Sequence, residues 1–218
     1  NKSTIRIPLN LMESLNSEIN DYSLCQSKVC GDRIDGIDCG DEISNWLSDA
    51  LQIQGLRLIR QSDDDHRIIK KYKPLDDQEQ KHTIALSNQA QFLLINSMSV
   101  DWLARKVEDW NELEQYTDDD LQYVIDRFRG NLIIETPVPL DELTWKYINF
   151  GNIKLKAEGP CTRCQMICID QRNGTKTTEP LRTIAKEFQG KLKFGLYLSQ
   201  VNADLDNLNS NEIYINCN

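Results

Sequence analysis

The chain has 218 residues, 39% hydrophobic and 27% charged, long enough to bury a core without crosslinks and typical in composition of a soluble globular protein. Its longest wholly aliphatic or aromatic run, Phe92 to Ile95, is far short of the ~20 apolar residues that cross a bilayer, so no membrane association is expected. A net charge of −9 and a pI near 4.8 disfavour nucleic acid and anionic lipid as partners, and any anionic ligand must be held by a local basic pocket.

Thr4 to Leu9 alternates as a strand, with Ile5, Ile7 and Leu9 on one face. The Gly- and Asp-rich stretch from Cys30 to Asp41 reads as turns and a helix cap. Ile43, Trp46, Leu47 and Ala50 share one helical face that Gly55 ends, and Leu56 to Gln61 reads as a strand. The charged stretch 62–82 is expected to be a solvated, mobile loop. Gln91 to Asn96 predicts a buried strand, and Ser97 or Ser99 is expected to cap a helix carrying Val100, Leu103 and Val107.

From Glu108 to Asp126 there are eight acids and no Lys or Arg. Thr117 before Asp118-Asp119-Asp120 reads as a helix N-cap with acids on the positive end of the dipole, which explains the acids without a metal. Arg127-Phe-Arg-Gly-Asn131 then forms a basic turn into a strand at Leu132 to Ile134. Asn152 to Ala157 and Gln165 to Ile169 read as strands, the latter followed by an Asn173-Gly174 turn. Pro180 opens a helix with Leu181, Ile184, Ala185 and Phe188 inward, and Leu192, Phe194, Leu196 and Leu198 alternate along a last strand. With no internal repeat and no linker between halves, the fold class expected is α+β, β-rich, with a closed or partly closed barrel.

Seven cysteines, an odd count without a signal-like segment, predict reduced intracellular thiols rather than a disulfide framework. The richest stretch is Gly159-Pro-Cys161-Thr-Arg163-Cys164-Gln-Met-Ile-Cys168. Its C-x2-C spacing suits a zinc knuckle, a redox pair or buried structural thiols. On a strand, Cys164 and Cys168 would lie about 13 Å apart, too far to share one small metal site. Cys164 stands out because it follows Arg163, where positive charge can stabilise a thiolate. From Gly159 to Gln200 seven Lys or Arg oppose three acids, and Arg127 and Arg129 add guanidinium forks that match phosphate. A soft thiolate beside such arginines suits a ligand joining a thiophilic metal to a phosphate, and the molybdenum cofactor has that chemistry.

Val29-Cys-Gly-Asp-Arg33, Gly36-Ile-Asp-Cys-Gly40, Gln91-Phe-Leu-Leu-Ile-Asn96, Arg127-Phe-Arg-Gly-Asn131 and Gly159 to Asp170 together resemble the MOSC domain at the C-terminus of eukaryotic molybdenum cofactor sulfurases. The resemblance runs from about Cys25 to Ser199. It implies a β-rich MOSC-type barrel with peripheral helices, and binding of the molybdenum cofactor (molybdopterin). It implies that Cys164 coordinates molybdenum, that Arg129 and Asn131 contact the cofactor, with Arg127 a further candidate, and that Cys161 is structural. It assigns no catalytic side chain. Residues 1–24 are expected to end a preceding N-terminal barrel segment and residues 25–218 to form the MOSC domain of a longer enzyme, since the chain begins at Asn1.

In that family the full-length sulfurtransferase replaces a molybdenum oxo ligand by sulfido, activating xanthine dehydrogenase and aldehyde oxidase. Sulfur comes from an N-terminal cysteine desulfurase domain that uses pyridoxal phosphate, a cofactor expected only in that absent domain. The resemblance implies a cytoplasmic protein. Two other readings stand beside it: a MOSC oxidoreductase reducing N-hydroxylated substrates, and a noncatalytic zinc- or thiol-based binding module.

Overall fold

The computed structural model describes residues 2–7, 23–29, 32–62, 67, 84, 89–111, 118–201 and 212–215. They fall into two compact units, the first holding the described residues up to Arg67 together with Ile84, the second those from Gln89 onward.

In the first unit, β1 (Ser23–Val29), β2 (Asp32–Asp38) and β3 (Ile59–Gln61) form an antiparallel sheet in that order. Gly36 is required where β2 meets β3, because a Cβ there would stand 2.4 Å from Ile59 Cγ2. Helix α1 (Asp41–Leu51) begins with Asp41 and Glu42 at the positive end of its dipole. Just before it, Asp38 accepts a 2.9 Å bond from the Gly40 amide and a 2.7 Å bond from Arg57 Nε, and that guanidinium holds the Asp38 carboxyl below its ordinary range.

The face of α1 that turns inward is Ile43, Ser44 and Ser48, while Ala50 is exposed. The apolar pattern misplaces this face because the two serines serve the returning backbone. Ser44 Oγ donates to the Leu56 carbonyl at 2.6 Å and Ser48 Oγ accepts from the Leu56 amide at 3.2 Å. That use of Leu56 shortens the strand expected over 56–61 to β3. The helix stops at Gln52, in the left-handed region at φ 55, before Gly55 is reached. Residues 2–7 have no regular secondary structure, and the rest of the strand expected at Thr4 to Leu9 lies outside the described residues. So does most of the loop expected over 62–82, of which Ser62 and Arg67 are described and buried.

The second unit is built on a six-stranded sheet that curls as a half-barrel. Its strands are β4 (Phe92–Asn96), β5 (Leu132–Ile134), β6 (Tyr147–Phe150), β7 (Ile153–Thr162), β8 (Lys193–Val201) and β9 (Glu212–Ile215), in the order β5-β4-β8-β7-β6-β9. The β4/β5 and β6/β9 pairs are parallel and the others antiparallel. Leu94, Trp145, Ile148, Leu155, Leu196 and Leu198 fill one face. Against the other pack α2 (Ser97–Ala104) and α4 (Asp118–Arg127), which follow each other across the single turn α3 (Glu108–Asn111), and α5 (Leu181–Glu187). The result is the expected α+β fold with a β-rich, barrel-like core and flanking helices.

Two local differences matter. Phe194, Leu196 and Leu198 do not share a face. Gly195 adopts φ 76 and adds a residue to β8 opposite the Pro160 to Thr162 step of β7. This bulge sends Phe194 to the helix side and the leucines to the other. A Cβ on Gly195 would meet the Leu94 carbonyl oxygen at 2.9 Å. The cap of α2 is Asn96 rather than a serine: its Oδ1 accepts from the Met98 amide at 3.1 Å. Ser99 lies inside the helix and donates to the fully buried Glu142 at 2.8 Å, which also accepts from Asn96 Nδ2 at 2.8 Å.

Candidate functional site

The turn 127–131 is shaped mainly by its backbone. The end of α4 tightens as Phe128 and Arg129 donate to the carbonyls of Ile125 and Asp126 at 2.9 and 3.1 Å. Arg129 sits in the left-handed region at φ 55, a costly conformation for a non-glycine residue that reverses the chain and turns its side chain outward. Gly130 follows because a Cβ there would stand 2.7 Å from Ile95 Cγ1. Asn131 closes the turn onto β4: its amide donates to the Leu93 carbonyl at 2.8 Å, and its Oδ1 accepts from the Leu93 amide at 2.9 Å.

The two arginines of this turn have different surroundings. Arg129 is exposed, and its guanidinium meets no partner among the described residues. Arg127 is buried against the rings of Tyr123 and Trp110, at 4.8 and 5.5 Å. It donates to the Tyr123 hydroxyl at 3.0 Å and pairs with Asp170 at 3.5 Å.

The loop from Cys161 to Asp170 is held by backbone bonds and by buried side chains together. Its first anchor is the Arg163 amide, 2.6 Å from the Leu192 carbonyl. The Arg163 side chain is buried and does not reach out beside the Cys164 thiol. Its Nη1 donates to Cys161 Sγ at 3.2 Å and its Nη2 to the Phe128 carbonyl at 2.6 Å, with the guanidinium 5.2 Å from the Phe128 ring centre. Cys164 itself is exposed, and its thiol has no partner among the described residues.

The strand expected at Gln165 to Ile169 is instead one 3-10 turn, Gln165–Cys168, headed by Cys164. A strand needs a neighbour, and pairing between β7 and β8 ends at Thr162; Ile169 finds only an isolated bridge to Lys176. The turn buries Ile167 and Cys168 in the helix-side core and leaves Gln165 and Met166 exposed. The 13 Å separation expected along a strand therefore does not apply. Burial pushes the Cys168 thiol pKa up, against the opposing hydrogen bond with the Leu181 backbone.

A network not anticipated from the sequence joins this loop to α4. Asp170 accepts from the Tyr123 hydroxyl and, at 2.8 Å, from the Arg172 amide, while the Arg172 guanidinium lies 3.9 Å from the Tyr123 ring centre. The Tyr123 bond is the main cause holding the Asp170 carboxyl below its ordinary range. Tyr123 and Asp170 are 47 positions apart, and no local pattern pairs them.

The structure thus brings the Cys164 loop and the 127–131 turn together, with Arg163 as the direct link. The exposed groups offer a soft sulfur ligand at Cys164 and a phosphate-matching fork at Arg129, a donor set suited to a thiophilic metal joined to an anionic group. Among the described residues no three or more His, Cys, Asp or Glu side chains cluster to hold a metal by themselves. His66 and His82, the two histidines of the chain, lie outside those residues. Cys25, Cys39, Cys161, Cys164 and Cys168 are free thiols, Cys39, Cys161 and Cys168 buried. The described residues contain no helix long and apolar enough to cross a membrane.

Comparison with known proteins gives a family and named relatives. The MOSC domain family model matches residues 81–206, which include both the turn and the loop. The chain is 53% identical over 195 residues to molybdenum cofactor sulfurase 3 of Aedes aegypti, covering 89% of this chain and 24% of that protein. It is 54% identical over 200 residues to molybdenum cofactor sulfurase of Bombyx mori, covering 92% and 23%. With its Drosophila melanogaster counterpart it shares 39% identity over 215 residues, covering 99% and 24%. The chain spans about a quarter of the length of the curated relatives it matches.

Proposed function

The chain belongs to the MOSC domain family, and from that premise we propose that it is the cofactor-handling C-terminal part of a molybdenum cofactor sulfurase. Residues 25–218 would form that part and residues 1–24 the end of a preceding barrel segment. The observation that carries the proposal is the exposed, unpartnered Cys164 thiol heading a 3-10 turn that Arg163 ties to the arginine-bearing turn of Arg129. Cys164 would hold molybdenum, because a thiolate is a soft ligand that suits a metal able to take sulfur. Arg129 would meet the phosphate through its fork. Asn131 has its Oδ1 committed to Leu93, which leaves its amide NH2 group for the ligand. Arg127, already paired with Tyr123 and Asp170, would support the site from behind.

The cofactor is here the substrate on which an oxo ligand is replaced by sulfido. Sulfur would be supplied by a pyridoxal-phosphate-dependent cysteine desulfurase domain in the longer protein, with xanthine dehydrogenase and aldehyde oxidase as recipients, in the cytoplasm. The relatives' names and their greater length support this reading.

The test is titration of the full-length protein with molybdenum cofactor, comparing wild type, Cys164→Ser and Arg129→Ala. We expect Cys164→Ser to lose a molybdenum–sulfur distance from the X-ray absorption spectrum, and Arg129→Ala to weaken binding about tenfold, the size of one lost charge-assisted contact. Equal affinities and an unchanged molybdenum–sulfur spectrum in Cys164→Ser would refute the assignment of Cys164. Reduction of N-hydroxylated compounds by the loaded protein, without sulfuration of a recipient, would favour the oxidoreductase reading instead.

A further inference from the structure

We propose that Arg163 is the positioning residue of this site, clamping the turn of Arg129 to the loop of Cys164 and lending its uncompensated charge to an anionic ligand. The role rests on the reading of Cys164 and Arg129 as ligand-binding groups. Arg163 immediately precedes Cys164, and the carbonyl it grips at 2.6 Å belongs to Phe128, which immediately precedes Arg129. One side-chain hydrogen bond therefore ties the residue before Cys164 to the backbone of the residue before Arg129. The second branch of the fork reaches Cys161 Sγ at 3.2 Å and the Phe128 ring centre lies 5.2 Å away, so the guanidinium has little freedom to turn.

Its charge makes Arg163 more than a strut. The residue is 7% exposed, its Nε has no hydrogen-bond partner, and among the described residues its side chain meets no carboxylate. An arginine does not shed its proton to relieve burial, and a buried charge without a counterion is costly. Arg127 provides the contrast, because Asp170 lies 3.5 Å away to answer its charge. An anion bound at Arg129 and Cys164 would feel that charge through its field, without the 3.5 Å contact that Asp170 makes with Arg127. The ligand class this favours carries a phosphate or comparable anionic group close to its metal-bearing end. Lysine cannot replace the arrangement, since an ammonium is a point donor and lacks the planar fork that spans two acceptors.

The experiment uses the full-length protein with Arg163→Lys, Arg163→Gln and Cys161→Ala, with two readouts. Without ligand, hydrogen exchange at residues 128–131 and 164–168 should speed up about tenfold in both Arg163 variants, with Leu181–Glu187 unchanged. With molybdenum cofactor as probe, Arg163→Gln should bind about tenfold more weakly and show a shallower loss of affinity with salt. Arg163→Lys should keep the wild-type salt dependence yet lose the molybdenum–sulfur distance, a separation that a merely structural residue would not produce. Wild-type exchange in both segments together with wild-type affinity in Arg163→Lys would overturn the proposal. If the Arg163 variants do not fold, Cys161→Ala decides: faster exchange at 164–168 supports the clamp and wild-type exchange there overturns it. If wild type binds no cofactor, the proposed function fails, while the exchange measurement still judges the clamp.

Discussion

The turn 127–131 and the loop 161–170 each carry an exposed group without a partner among the described residues, Arg129 and Cys164, but they are held by different means. The turn relies on backbone: a left-handed Arg129, a Gly130 too close to Ile95 for a Cβ, and an Asn131 laced to Leu93. The loop adds long-range side-chain anchors to its backbone bonds: the Arg163 fork, buried Cys161 and Cys168, and the Asp170 link to Tyr123. Backbone geometry does not depend on what the Arg129 side chain does, which leaves that side chain free for a ligand. In the loop, the side chains that fix the shape are spent, and Cys164 is available because its neighbours do the holding.

That contrast can be broken most severely at Gly130. Gly130→Ala places a methyl 2.7 Å from Ile95 Cγ1 and 2.9 Å from Ile133 Cδ1, and of the two only Ile95 is fully buried. We expect a loss of about 1–3 kcal/mol in denaturant unfolding, the usual cost of overpacking. A stability equal to wild type would show that the turn is not set by this close approach. Asn131→Ala is a smaller perturbation. It removes the acceptor for the Leu93 amide and should cost about 0.5–1.5 kcal/mol, with faster hydrogen exchange confined to residues 92–94.

In the loop, Asp170→Asn gives a pH-dependent effect rather than a large one. The Asp170 carboxyl is held below its ordinary range in the folded chain, chiefly by the Tyr123 hydroxyl. A carboxyl with a depressed folded pKa contributes its stability above its unfolded value of about 4 and loses it as pH falls through the folded value. The stability gap between wild type and Asp170→Asn should therefore be widest near neutrality and close on acidification. A gap constant from pH 7 to pH 3 would remove Asp170 from the role of charged anchor. Tyr123→Phe should narrow the same gap, because it deletes the main cause of the shift.

Much of the fold was readable where one element dominates its own surroundings. β4, β5 and α5 lie close to where apolar spacing, turn residues and Pro180 put them. The reading failed where a residue's role was set by something distant in sequence. Gln165 to Ile169 has strand composition but no strand beside it, so it turns and buries alternate chemistry from that expected. Asn96 rather than a serine caps α2, because Glu142 draws Ser99 inward. Arg127 and Arg129 look alike on paper, yet one completed helical turn puts the first inside and the reversal after it puts the second outside.

The residues alone determined the class of fold, the surplus of thiols over any disulfide scheme, and the stretch in which the chemistry lies, because composition, spacing and charge excess are properties of short segments. Only the tertiary structure decided which of the described thiols is exposed and which arginine is already engaged. Burial and hydrogen-bond partnership depend on which distant backbone each side chain meets, as Arg163 meets the carbonyl of Phe128, 35 positions away.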